Sequence, residues 1–281
     1  MTEPGVAREV TAAVPMRRPA FVVVRNAWRA RAVIRALVAR DLRARYVGST
    51  LGLFWSLVNP LAQLAIFTFV FSTVLAVRFA DDRVPFVLYL AAALFPWLAF
   101  QESVLRSATC LVDNAVLVKR VVFPVEVLPV QIALSSLVHQ MIALGLLLAL
   151  MAVFGLPPRP ALLALPALVV LQLLLTIGLG WAAAAVHVYV RDTAPALGVL
   201  FPMWFYLTPI IYPYRLVPPR LQAVLALNPL TALVQDYRDL FLHGVVPLGM
   251  RELWLAGVSV LAFAGGAAVF ARARGEFADL V

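Results

Sequence analysis

The chain has a single cysteine, Cys110, among 281 residues, so no disulfide can close within it. Charge is scarce as well. Asp, Glu, Lys and Arg together make up 13% of the residues, where a soluble domain carries about a quarter. Lysine is nearly absent: of the 23 basic residues only Lys119 is not arginine. There is no GxxxxGK[ST] phosphate loop, so the chain does not hold ATP in that manner. HExxH, paired CxxC and GxSxG are missing too, which removes the common zinc and serine-nucleophile chemistries. A metal-dependent membrane transferase needs several carboxylates gathered on one face, and no such group is found.

What is present is apolar. Hydrophobic residues make up 63%, and the mean hydropathy of +0.94 excludes a disordered chain. Crossing about 30 Å of hydrocarbon takes roughly 20 residues in a helix. Six runs meet or approach that length: Trp55–Val77, Phe86–Ala108, Val127–Gly155, Ala161–Val190, Pro195–Tyr214 and Leu248–Phe270. The fold class expected is therefore an all-α membrane protein with six transmembrane helices. The net charge of +9 fits either a nucleic-acid binder or the inner loops of a membrane protein. Its distribution decides. Placing the N-terminus inside puts sixteen basic residues on that side and seven on the other, which predicts cytoplasmic termini and leaves no soluble basic domain for nucleic acid. The opening MTEPGVAREV lacks the apolar stretch of a secretory signal.

The segments between the runs carry their own signals. Trp28–Tyr46 reads as an amphipathic helix, with Ile34, Leu37, Val38 and Leu42 at 3–4 spacing and arginines on the remainder. It suits the inner headgroup layer, where arginine meets anionic lipids; a solvated juxtamembrane helix is the alternative. The inner connection Thr109–Glu126 is unusually apolar for a loop. Asp113 and Asn114 are cap-type residues ahead of its apolar run, which reads as a short docking helix for another protein, or as a segment packing on its own chain. The outer connection Arg215–Pro247 is proline-rich yet apolar and predicts short re-entrant helices, a candidate outer gate.

Polar groups within the spans mark function or packing. Ser56, Asn59, Gln63 and Phe67 recur at 3–4 steps on the first run, and Phe201, Phe205, Thr208 and Tyr212 on the fifth, with Trp204 beside them. His139 and Gln140 fall mid-span and suit interhelical hydrogen bonding. Glu102 and Arg106 have the i,i+4 spacing of an intrahelical pair. Asp81–Asp82 reads as a solvated turn.

Four stretches resemble a known family: ARDLRARYVGSTLGLFWSLVNPL (Ala39–Leu61), KRVVFPVEVLPV (Lys119–Val130), RDTAPALGVLFPMWFYLTPIIYP (Arg191–Pro213) and LNPLTALVQDYRDLFLHG (Leu227–Gly244). They are similar, in order and separation, to the permease subunit of ABC-2 type exporters of O-antigen, capsule, galactan and teichoic acid. The resemblance implies a homodimer working with two copies of a separate ATPase subunit, which would bind the ATP and Mg, leaving this chain without a cofactor or catalytic residue. It implies an interface helix containing Arg31, Arg35, Arg40, Asp41, Arg43, Arg45 and Tyr46. It implies a coupling helix at Asp113, Asn114, Leu117, Lys119 and Arg120. The path for a lipid-linked glycan would run past Ser56, Asn59, Gln63, Phe67, Phe201, Trp204, Phe205, Thr208 and Tyr212, where the aromatics either face sugar rings or seal helix interfaces. Asn228, Pro229, Gln235, Asp236, Tyr237 and Arg238 would form the external gate. Expected boundaries are a disordered tail over 1–25, the interface region over 26–54, the six-span domain over 55–271 and a cytoplasmic tail over 272–281. A drug or small-lipid permease of the same architecture is the second reading, followed by an ATP-independent flippase or a membrane transferase.

Overall fold

The computed structural model describes residues 20–44, 54–74, 84–120 and 123–281, with side chains of the second segment described from residue 58. Arg45, Tyr46, the Asp81–Asp82 turn and the first 19 residues lie outside it, as does the side chain of Ser56. The described residues are helical, without strands.

Two helices, α1 (Ala20–Arg29) and α2 (Arg31–Ala44), open the described chain. Residues 20–25, expected to belong to a disordered tail, form the first turns of α1. Val23 and Ala27 bury one face of α1 against the C-terminal part of the last long helix. Hydrogen bonds from Ala30 N to Asn26 O and from Ile34 N to Ala30 O carry the ladder across the joint, so the pair is a helix bent at Ala30. The expected interface helix thus starts earlier than Trp28.

Among the described residues, four helices are long and apolar enough to cross a membrane: Phe86–Asp113, Val127–Val153, Pro160–Tyr189 and Met250–Leu280. In element terms these are α4 (Phe86–Asp113), α6 (Val127–Val153), α7 (Leu165–Tyr189, entered through a 3-10 turn at Pro160–Ala164) and α11 (Met250–Ala273). The first expected span is α3 (Phe54–Thr68), continued by a π-helical turn at Phe69–Val74. The fifth differs more. It is α8, Thr193–Tyr206, 14 residues and so about 21 Å long, well short of the hydrocarbon thickness. Pro209 supplies the reason, because a proline disfavours helical backbone at the residue before it, here Thr208. The chain turns at Leu207–Pro213 and continues as α9 (Pro219–Ala226) and α10 (Pro229–Arg238), extended by a π-helical turn at Asp239–His243.

The central element is α4. Leu88, Leu90 to Leu94, Trp97 and Phe100 are all buried, and α3, α6, α7, α8 and α10 pack around it. The closest approach is elsewhere, between α7 and α11. A Cβ on Gly178 would lie 2.3 Å from the carbonyl oxygen of Ala262, and one on Gly266 would lie 1.9 Å from that of Gly178. Only glycine permits this contact, the small-residue packing by which helices associate in lipid. A second apolar cluster closes one end of the bundle, joining α1, the end of α4, the starts of α6 and of the chain after α11, and Trp181 of α7.

Candidate functional site

The polar stripe of α3 lies over α4. Asn59 and Gln63 line a cavity of about 470 Å³ together with Gln101 and Glu102 of α4 and His139 and Gln140 of α6. Gln63 also borders a second cavity of about 340 Å³, on the α8 side, with Phe67, Trp97, Gln101, Phe205 and Tyr206. The amides that lipid would not select therefore face two adjoining clefts, one either side of α3. Their walls offer hydrogen-bond donors and acceptors on one side and rings on the other, a lining suited to hydroxyl-bearing groups.

The rings form a floor. Phe67 stacks on Phe205 at 5.7 Å with 18° between planes, and Trp97 meets Phe205 edge-on at 5.7 Å. Phe201 stacks on Trp204 at 5.8 Å, and Phe100 stands edge-on to Trp204 at 5.6 Å. Phe201 and Phe205 are buried against α4, so α8 is held to the centre of the molecule by aromatic contacts. Trp97 and Phe100, which complete the floor, escaped the sequence reading because they lie on a helix read for its charged inner end.

The outer connection is tied down by hydrogen bonds. Asn228 caps α10 by accepting from Leu230 N at 3.0 Å, with Pro229 at the first helical position, where its missing N–H costs nothing. The same amide accepts from Trp204 Nε1 at 3.0 Å and donates to Thr208 Oγ1 at 2.9 Å, fastening α10 to the end of α8. Arg238 is 3% exposed. It donates to the carbonyls of Pro209 at 2.7 Å, Ile210 at 2.6 Å and Tyr89 at 3.2 Å, and its guanidinium stacks 3.5 Å over the Tyr89 ring. Three carbonyls and a π-face offset the burial of that charge. Tyr212 donates its hydroxyl to Tyr206 O at 2.8 Å. Arg251 at the mouth of α11 gathers Gln235 at 3.0 Å, Asp236 at 2.7 Å, Asp239 at 2.6 Å and Glu252 at 3.1 Å. Burial pushes the Asp236 carboxyl up to about 7 against the pull of Arg251, while bonds from His243 and Arg251 hold Asp239 low despite its own burial.

Tyr237 is a special case. Its hydroxyl donates to Gln172 Oε1 at 2.6 Å and accepts from Gln140 Nε2 at 2.8 Å. The two amides pair head to head at 2.9 and 2.8 Å, and Gln172 Nε2 also donates to the Pro96 carbonyl at 3.1 Å. All four amide N–H groups are used within a buried network joining α4, α6, α7 and α10. Gln140 thus does bond between helices, as its position suggested, whereas His139 bonds within α6 to Ser135 O at 2.8 Å.

At the end of the bundle closed by α1, Asp113 closes α4 rather than opening a new helix, and the short helix α5 is Ala115–Val118. Neither cap-type residue caps it. Thr109 donates to Asp113 at 2.6 Å, and Asn114 donates back to Cys110 O at 2.8 Å. On α5, Val118 is buried and Leu117 half-buried; Val116, 73% exposed, projects outward with Asp113, Lys119 and Arg120 beside it. Arg31, Arg35, Arg40 and Arg43 are exposed on α2. Asp41 is not part of that face: it pairs at 2.6 Å with Arg106, which also reaches Glu102 at 3.4 Å.

A helical bundle with several helices long enough to cross a membrane and a polar groove beside another has the make-up of a membrane transporter. The comparison of sequences makes this specific. The pattern of the ABC-2 type transporters matches residues 32–242, and the chain belongs to that family. It is similar to the O-antigen export system permease protein RfbA of Myxococcus xanthus, 31% identical over 261 residues that cover 92% of this chain and 99% of the relative. A protein of the same name from Klebsiella pneumoniae is 27% identical, over 86% of this chain and 92% of its own. The polysialic acid transport protein KpsM of Escherichia coli is 23% identical, over 86% and 93%.

Proposed function

We propose that this chain is the permease subunit of an ATP-driven exporter that moves a polysaccharide or polyol-phosphate polymer, carried on a polyprenyl diphosphate, across the bacterial inner membrane. The observation that carries the reading is the pair of clefts flanking α3, amide-lined at Asn59, Gln63 and Gln101 and ring-lined at Phe67 and Phe205. Such a lining receives sugar hydroxyls and ring faces, and its carboxylate, Glu102, is paired with Arg106. The exporters named among the relatives support a glycan cargo.

In this reading two copies act together. The outer faces of α3 and α8 expose Ile66, Phe69, Val199, Met203 and Tyr206, a surface on which a second copy sits, so the clefts border a shared path. The π-helical turn after α3 and the turn after α8 complete the two shorter crossings, giving six spans with both termini inside. The exposed arginines of α2, with Trp28, rest on anionic inner-leaflet lipid. Two ATPase subunits carry the ATP and Mg and dock on Val116, Lys119 and Arg120. Closure of the ATPase pair shifts α5 and hence the spans, separating the α3 and α8 pairs. The cap at Asn228 and the carbonyl clamp of Arg238 hold the outer gate until then.

The test is reconstitution of this chain with its ATPase subunit in vesicles, following a polyprenyl-diphosphate-linked glycan. ATP-dependent movement that falls when Gln63 and Phe67 are replaced by alanine, with the complex intact, supports the reading. Movement without ATP, or unchanged in those variants, overturns it.

A further inference from the structure

The eight residues after α11 are folded down rather than trailing. A 3-10 turn at Arg274–Glu276 leads into a short helix, α12 (Phe277–Leu280), which packs against α5 and the end of α7. Phe277 is 1% exposed and meets Phe270 of α11 edge-on at 5.1 Å. The same apolar cluster holds Val118 of α5 and Cys110 and Leu111 at the end of α4. Polar contacts close the rim. Tyr189 donates to Glu276 Oε2 at 2.8 Å, and Arg191 donates to the Leu280 carbonyl at 3.1 Å. Beneath them Arg274 pairs at 3.2 Å with Glu126, a carboxylate that is 0% exposed, and Trp181 donates to the Glu126 carbonyl at 3.0 Å.

The arrangement has a direction. The inward side of α5, Val118, touches the cluster around Phe277, while its outward side, Val116, stays free for a partner. Glu126 begins the polypeptide's return into the membrane as α6. Pulling Arg274 away would leave a fully buried carboxylate without its counter-charge, a costly state. A force applied to α5 is therefore passed on before this segment lets go.

We propose that residues 274–281 form a clasp that positions the docking helix, so that Phe277 and the Glu126–Arg274 pair transmit movement of α5 into α7 and α11. The clasp rests on the reading of α5 as the ATPase-docking helix. Phe277, Arg274 and Glu126 are positioning residues that act through α5.

The experiment uses the full chain with its ATPase subunit in vesicles, with a fluorescent dye on Ser72→Cys in the π-helical turn that continues α3, since Cys110 is buried and Ser72 is exposed. Three quantities are read: co-purification of the ATPase, ATP hydrolysis, and the ATP-dependent change in dye signal at that turn. For Phe277→Ala the expected result is unchanged co-purification, hydrolysis within about twofold, and a dye response lowered about tenfold, the size of a coupling loss of 1–2 kcal/mol. Phe277→Leu, which keeps most of the apolar volume, retains most of the response. Tyr189→Phe combined with Glu276→Gln loosens the rim without emptying the core and lowers the response by about threefold. A full dye response in both the Phe277→Ala and the rim variants overturns the clasp, as does a loss of response in step with loss of bound ATPase. Failure of the wild type to move glycan while its dye still responds counts against the cargo, not the clasp.

Discussion

α7 and α11 meet backbone to backbone at Gly178 and Gly266, whereas α3 and α8 meet each other and α4 through side-chain rings. The first contact tolerates no displacement, because a carbonyl lies where any Cβ would be. The second slides: stacked and edge-on rings keep most of their attraction over a range of offsets and angles. One pair of helices is built as a frame and the other as parts resting on it. The polar clefts lie beside the movable parts, which is where a path that opens and closes belongs.

The difference can be attacked from either side. The largest effect is expected from Gly266→Leu, which drives a side chain into the α7 backbone; a loss of at least about 3 kcal/mol follows, read as disappearance of monodisperse protein in detergent. Next comes the amide pair that ties the frame to α10. Gln140→Leu and Gln172→Leu should each lower thermal stability by about 1–3 kcal/mol, since each strands a buried amide. The double variant should cost less than the two added, because it strands neither; additive losses would show that the pair is not coupled. Phe67→Ala sharpens the contrast, lowering stability by about 1 kcal/mol while reducing export about tenfold. An export loss matched by an equal loss of folded protein would place α3 in the frame.

The last effect concerns pH. The Asp236 carboxyl, raised to about 7, binds its proton more tightly in the folded chain than in the unfolded one. Stability then falls as pH rises from about 4 to about 7, and Asp236→Asn should flatten that slope. An unchanged slope measured by thermal unfolding would assign it elsewhere. Asp239, held low, works in the opposite sense, with its contribution lost only as the solution turns acid enough to protonate it.

Much of this was legible in the residue order. The apolar runs at α4, α6, α7 and α11 located helices to within a few residues, because hydrocarbon thickness sets their length. The apolar, proline-rich connection after the fifth run announced short helices, and the α3 stripe announced a face turned inward. Other features depend on partners far along the chain. Nothing beside Gln140 points to Tyr237, 97 residues away, and nothing beside Glu126 points to Arg274, 148 residues away. Asp113 and Asn114 have the chemistry of caps, yet α4 runs on through Asp113 and uses both side chains itself. The short α8 was readable from Pro209, but an apolar run masks a proline when hydropathy alone is weighed.

The grip of Arg238 on Pro209 and Ile210 bears on how the chain is made. α8 leaves the ribosome before the residue that fastens its outer end, which follows 28 positions later. Until Arg238 has emerged, the carbonyls of that turn lack the partner they have in the folded chain. The end of α8 therefore reaches its final contacts only together with α10, and the two settle as one unit.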